Sequence, residues 1–169
     1  MPKTKTAKSL DKPLPARAQK SSEGRKLSSF LCFAVYSANL AFGRVYKPVL
    51  DELGLTYTQY IAMVALSDED DQTVKALGEK LFLESNTLTP ILKKLEQDGY
   101  VRRQRDPADE RQVRVGLTPA GRRLLVAMDE SAASRVDATG LGEEFPVVQK
   151  TVARLRDNLL RATSADAGE

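Results

Sequence analysis

A mainly α fold carrying one small β-hairpin is predicted by three observations. Apolar residues recur at steps of three and four on either side of residues 100–117, that stretch alone alternates like extended chain, and Gly54, Gly99, Gly140 and Gly142 punctuate the helical runs. With 41% apolar residues in 169, the chain can bury a sizeable core.

Residues 1–26 hold eight Lys or Arg against Asp11 and Glu23, a local charge of +6 within a total of +3. Rich in Lys, Ser, Ala and Pro, this segment predicts a disordered basic tail, either a solubilising leader or an arm that adds non-specific phosphate contacts. The folded domain is expected over residues 27–169.

Leu27, Leu31, Ala34, Ala38, Ala41 and Val45 mark one face of a long amphipathic helix, with Ser28 or Ser29 as its cap. Lys47-Pro48 is expected to bend or restart it, and Gly54 to stop it. A second helix follows from Thr56 to about Ser67, with Tyr60, Ile61, Val64 and Ala65 turned inward. Residues 73–81 and 85–98 then form two shorter helices, the second closed by Gly99. Residues 100–105 and 112–117 suit two strands joined by the turn-rich segment 106–111. Thr118 supplies an N-cap and Pro119 a first helical residue for a helix running to about Val136. The last helix carries Phe145, Val148, Val152, Leu155 and Leu159 as a narrow seam suited to another helix.

A single cysteine excludes an internal disulfide framework. The absence of histidine argues against zinc enzymes and Ser-His-Asp hydrolases, so neither a metal site nor a cofactor is expected. No stretch approaches 18 apolar residues, and the basic N-terminus has no apolar core, so a cytoplasmic protein with no membrane partner is expected.

The helix starting at Ser85 presents short polar groups on Ser85, Asn86, Thr87 and Thr89, while Leu88, Ile91, Leu92 and Leu95 can face a core. Such a helix can approach double-stranded DNA closely, with hydroxyls and amides reaching phosphates or base edges. Arg102, Arg103, Arg105, Arg111 and Arg114 place five guanidinium groups on the hairpin. Helix pair and hairpin together read as a winged helix-turn-helix. The same residue types also suit an ordinary helical domain with a solvated charged hairpin.

Order and spacing narrow the choice. The run from Val74 to Val101, then Asp109-Glu110-Arg111-Gln112-Val113 and Leu117-Thr118-Pro119-Ala120-Gly121, resembles the MarR family of dimeric bacterial transcription regulators over roughly residues 27–162. Leu31-Cys32-Phe33-Ala34-Val35-Tyr36, Tyr46-Lys47-Pro48 and Leu53-Gly54-Leu55-Thr56-Tyr57-Thr58-Gln59-Tyr60 are similar to its organic-hydroperoxide-sensing branch, the OhrR type. The resemblance implies a winged-helix lobe over about 56–118 and dimerisation helices over about 27–53 and 119–163. It further implies a repressor, not an enzyme, that releases its inverted-repeat operator when its cysteine is oxidised. Arg111 matches the family's DNA-contacting wing position, with Asp109 orienting the wing through an ion pair. Lys93 and Lys94 would be solvated or face phosphates.

Cys32 chemistry fits that reading. With Ser28 or Ser29 as the cap, Cys32 falls in the first helical turn, where the helix dipole favours the thiolate that attacks a peroxide. The resulting sulfenic acid can be converted to a mixed disulfide by a small thiol or over-oxidised by further peroxide. Lacking a second cysteine, the chain departs from two-cysteine members of the family. Phe30, Phe33 and Val35 give the thiol an apolar rim. Tyr36 lies one turn beyond Cys32 on the same face. Tyr46, about 21 Å further along a continuous helix, could approach Cys32 only from a partner subunit or after a reversal. The resemblance implies that Tyr36, Tyr46 and Tyr57 cluster around the cysteine, some of them across the dimer.

Two other functions compete. One is a MarR-type repressor that answers to a small apolar or phenolic ligand, with Cys32 merely structural. The other is a thiol peroxidase, for which the chain offers no resolving cysteine and no obvious Arg or Thr beside the thiol.

Overall fold

The computed structural model describes residues 26–129 and 136–166. The predicted basic tail therefore lies outside the described residues, apart from Lys26. Two compact units divide the chain, residues 1–42 and 43–169, and the boundary falls within helix α1 (Leu31–Glu52).

In the first unit, Leu27–Ser29 forms a 3-10 turn instead of the first turn of an α-helix. The expected serine cap is absent, because the Ser29 hydroxyl donates back to the Lys26 carbonyl at 2.8 Å. Phe30, in extended conformation, precedes α1, and its carbonyl accepts the Ala34 N–H at 3.1 Å. Leu31, Ala34, Ala38 and Ala41 remain exposed on α1, as does Leu27 ahead of it, so this expected apolar face is uncovered within one chain.

Contrary to the expected break, α1 continues through Pro48. Proline forfeits one backbone bond. Burial of Leu50 and the Lys47–Asp51 ion pair at 2.7 Å, which brackets Pro48, favour the helical path there.

The second unit holds the core. Helix α2 (Tyr57–Asp68) opens on a capping box: Thr56 accepts the Gln59 N–H, and the Gln59 side chain accepts the Thr56 N–H at 2.7 Å. Its inward face is broader than the spacing predicts and includes Ala62, Met63 and Leu66. Val64, expected inside, is exposed on the opposite side. Strand β1 (Gln72–Thr73) leads directly into α3 (Val74–Leu81), capped by Thr73. Helix α4 (Ser85–Gln97) follows, then β2 (Val101–Arg105), β3 (Val113–Leu117) and α5 (Pro119–Asp129). Beyond a 3-10 turn at Gly142–Glu144 comes α6 (Phe145–Asp166).

The predicted hairpin is present but belongs to a three-stranded antiparallel sheet ordered β1-β3-β2. β1 is two residues long and pairs Gln72 with Val115 and Thr73 with Arg114. Leu77, Leu88, Leu92, Leu95, Val101, Val115 and Leu117 join α2 in one core, and Leu125 and Met128 of α5 extend it. Thr118 plays the predicted capping role: its hydroxyl accepts the Gly121 N–H at 3.1 Å and donates to the Gly99 carbonyl at 2.7 Å. Along α6, Phe145, Val148 and Leu155 are half-buried, whereas Val152 and Leu159 are exposed.

Candidate nucleic-acid interface and thiol region

Three leucines set the rotation of α4. Leu88, Leu92 and Leu95, spaced by four and three, are fully buried, which turns Ser85, Asn86, Thr87, Pro90, Lys93 and Lys94 outward. The turn ahead of α4 is equally constrained. Phe82 closes α3 with a left-handed φ of +57°, and the Leu83 N–H donates to the Gly78 carbonyl at 2.9 Å. A Cβ on Gly78 would sit 2.7 Å from the Leu83 oxygen, so glycine lets the turn after α3 fold back against that helix. Pro90 within α4 lacks a donor, as the sequence predicts. The Thr89 hydroxyl is half-buried and donates to the Ser85 carbonyl at 2.6 Å, so it is less free than its neighbours.

The wing tip is built by carboxylates. Asp106 accepts the Ala108 N–H at 2.8 Å, and its own N–H donates to the Gln112 carbonyl at 3.0 Å. Asp109 accepts the Arg111 N–H at 3.1 Å and the Gln112 side-chain amide at 3.0 Å. Asp109, expected to orient the wing by an ion pair, orients it through the main chain of Arg111 and the side chain of Gln112.

The five wing arginines divide. Arg111 is exposed at the tip, and Arg105, also exposed, donates to the Glu110 carbonyl at 3.3 Å. Arg102 donates to the Leu117 carbonyl at 3.0 Å, and Arg103 is bound to Glu96 at 2.7 Å. Arg114, expected at the DNA, is held between Asp71 and Asp106 at 3.0 and 3.1 Å. Its guanidinium is pushed up by hydrogen bonds to Asp106 and then Asp71, while the Ala108 N–H and Arg114 hold the Asp106 carboxyl below its ordinary range.

Between α4 and the wing lies a cleft of about 260 Å³, lined by Thr73, Lys75, Ser85, Thr89, Arg103 and Arg111 among others. Ser85, Thr89 and Arg111 are thus brought together, with Asn86, Thr87 and Lys93 beside them on the outward face of α4. Thr73 and Lys75 also line the cleft, and no motif in the sequence marks them for it. Each sits near the start of α3, and only the fold carries them to the wing.

The predicted redox residues fall in both units. In the first, Cys32 is exposed near the start of α1, and Tyr36, also exposed, has its ring 6.5 Å from that of Phe33. Phe30 and Val35 are exposed there too. In the second unit, Tyr46 and Tyr57 meet edge to face at 5.1 Å, and Tyr60, which the sequence suggested only as a core residue, packs on both at 5.5 and 6.4 Å. Burial, then the neighbouring phenols of Tyr46 and Tyr60, push the Tyr57 hydroxyl above the ordinary phenol range. The described residues contain no His, Cys, Asp and Glu cluster able to hold a metal, and no helix among them is long and apolar enough to cross a membrane.

Comparison with known proteins follows the same outline. The family described as transcriptional regulator SarA/Rot matches residues 44–128. The HTH-type transcriptional regulator TtmR of Methylorubrum extorquens is 44% identical over 150 residues, spanning 86% of this chain and 77% of that protein. The organic hydroperoxide resistance transcriptional regulator of Bacillus subtilis is 46% identical over 96 residues, spanning 57% of this chain and 65% of that protein. The structure of AbfR of Staphylococcus epidermidis matches with a TM-score of 0.67 at 36% identity, over 79% of this chain and 93% of that one.

Proposed function

Because the chain belongs to the SarA/Rot and MarR winged-helix family of DNA-binding transcription regulators, which are not enzymes, we propose that it is a homodimeric repressor switched by organic hydroperoxide. The observation that carries this reading is the sole cysteine, Cys32, standing exposed near the start of α1. The likeness to the Bacillus subtilis regulator adds support.

DNA is engaged by α4 in a major groove, through Ser85, Asn86, Thr87 and Thr89, with Lys93 near phosphates. The wing, through Arg111 and Arg105, reaches the adjoining backbone or minor groove. Arg102, tied to the Leu117 carbonyl, and Asp109, which shapes the tip, act by holding the wing. A second copy covers Leu27, Leu31, Val152 and Leu159, and its reading helix meets the other half of an inverted repeat.

In the switch, the Cys32 sulfur attacks the outer peroxide oxygen and the O–O bond breaks. The alcohol leaves with the thiol's proton, and the sulfur is left as sulfenic acid. A small thiol then forms the S–S bond and expels water. Tyr36 flanks the sulfur on its own helix, with Tyr46 and Tyr57 as the partner copy's contribution. Loss of phenol contacts to the sulfur on oxidation moves the reading helices off the operator.

The test is fluorescence anisotropy on an operator selected from random duplex DNA, with wild type and Cys32→Ser, before and after stoichiometric organic hydroperoxide and a small thiol. Wild type should release the DNA and Cys32→Ser should hold it. Equal retention by both would overturn the thiol switch and turn attention to a diffusible ligand.

A further inference from the structure

We propose that Arg114 positions the wing instead of touching DNA, clamped by Asp71 and Asp106 so that the tip presents Arg111. This rests on the wing being part of the DNA interface.

The clamp has three members from separate parts of the second unit. Arg114 lies on β3, and its Nε donates to the Asp71 carboxylate at 3.0 Å while another N–H donates to the Asp71 main-chain carbonyl. Its Nη1 donates to Asp106 at 3.1 Å. Asp106 is the residue at which β2 gives way to the tip. Its second oxygen holds the Ala108 N–H, so fixing Asp106 fixes the root of the turn that carries Asp109 and Arg111.

Asp71 precedes β1 at a left-handed φ of +54°, a conformation that aspartate and asparagine tolerate better than other side chains. Its neighbour Asp70 grips the far end of β3 through the Leu117 N–H at 2.8 Å. Consecutive acids of one loop therefore hold β3 at both ends.

Charge decides between contact and clamp. One guanidinium facing two carboxylates carries a net charge of −1, and such a trio repels a phosphate. The planar fork of arginine can serve both acids at once, which suits a brace.

The test uses the full-length protein and the selected operator, with affinity measured over a salt series for Asp71→Asn, Asp106→Asn, Arg114→Ala and Arg111→Ala. Asp71→Asn keeps the left-handed backbone, and Asp106→Asn keeps an oxygen for Ala108, while each weakens the grip on Arg114. Either change removes a negative charge near DNA, so acids that merely sat beside the interface would give tighter binding. The clamp predicts binding weaker by about three- to tenfold. It also predicts that Arg114→Ala weakens binding without the fall of about one in salt slope that follows loss of a phosphate contact.

Tighter or unchanged binding by folded Asp71→Asn, or a reduced slope for Arg114→Ala, would overturn the clamp while leaving the interface standing. If Asp106→Asn does not fold, as judged by circular dichroism, Asp71→Asn decides alone. Wild-type affinity for Arg111→Ala would overturn the interface reading, and the role of Arg114 with it.

Discussion

Glu96 of α4 holds Arg103 of β2 at three points: its Oε2 receives Nε at 2.9 Å and Nη2 at 2.7 Å, and its Oε1 receives the Arg103 main-chain N–H at 3.2 Å. The reading helix and the wing are thereby fixed to one another at side chain and backbone together. Because the pair is partly exposed, Glu96→Ala should cost only about 1 kcal/mol of stability, visible as a modest fall in melting temperature. Operator affinity should fall as well, since the two DNA-facing elements then vary in relative orientation. An affinity gain, as expected from simple loss of a negative charge, would count against this linkage.

Arg111 makes a separable prediction. It is exposed at the tip and placed by Asp109 through its main chain, so removing its side chain leaves the turn intact. Arg111→Ala should weaken operator binding at least tenfold with an unchanged melting temperature, and lower the salt slope by about one if the contact is to phosphate.

Asp70 ties stability to pH. Partial burial alone would raise its carboxyl, but the N–H groups of Leu117 and Asp71, with Arg122 and Arg102, outweigh burial and hold it below the ordinary 3.8. A depressed folded-state pKa means that the charged form stabilises the fold. The contribution is complete above the unfolded value and lost as pH falls through the folded one. Asp70→Asn should therefore be less stable than wild type by about 1–2 kcal/mol at pH 7, and the gap should close as pH drops below about 4. Urea melts at several pH values would show it. A gap that stays constant with pH would contradict the assignment.

Gly121 tests the packing of α5. A Cβ there would lie 2.2 Å from the Tyr100 carbonyl oxygen, a backbone atom fixed by the Thr118 N–H at 3.0 Å. Neither side can yield cheaply. Gly121→Ala should cost about 2–3 kcal/mol despite the better helix propensity of alanine. A melting temperature equal to or above wild type would refute the close approach.

What could be read in advance follows the range of the interactions. Thr118-Pro119 starts a helix and Gly99 ends one because caps are written in adjacent residues. The leucines of α4 announce its buried face through spacing alone. Pro48 misled because its local cost is outweighed by the packing of Leu50 and by the Lys47–Asp51 pair around it. The strand Gln72–Thr73 is too short to show a period and exists only because β3 lies beside it. The pairing of Arg114 with Asp71, 43 residues away, carries no local signal, so residue type alone could not announce it. Tyr60 carried the helical spacing of a core residue and is buried, yet its ring also completes the contact between Tyr46 and Tyr57.

Among the described residues, the order β1-β3-β2 leaves the outer side of β2 open, and an unpaired strand edge invites another chain to add to it. Arg102 and Arg105 keep this edge positively charged, so two such edges brought together repel, and the outward N–H of Arg103 is already taken by Glu96. The wing edge is thus closed to strand-to-strand aggregation by its own charge and by a side chain already seated on its backbone.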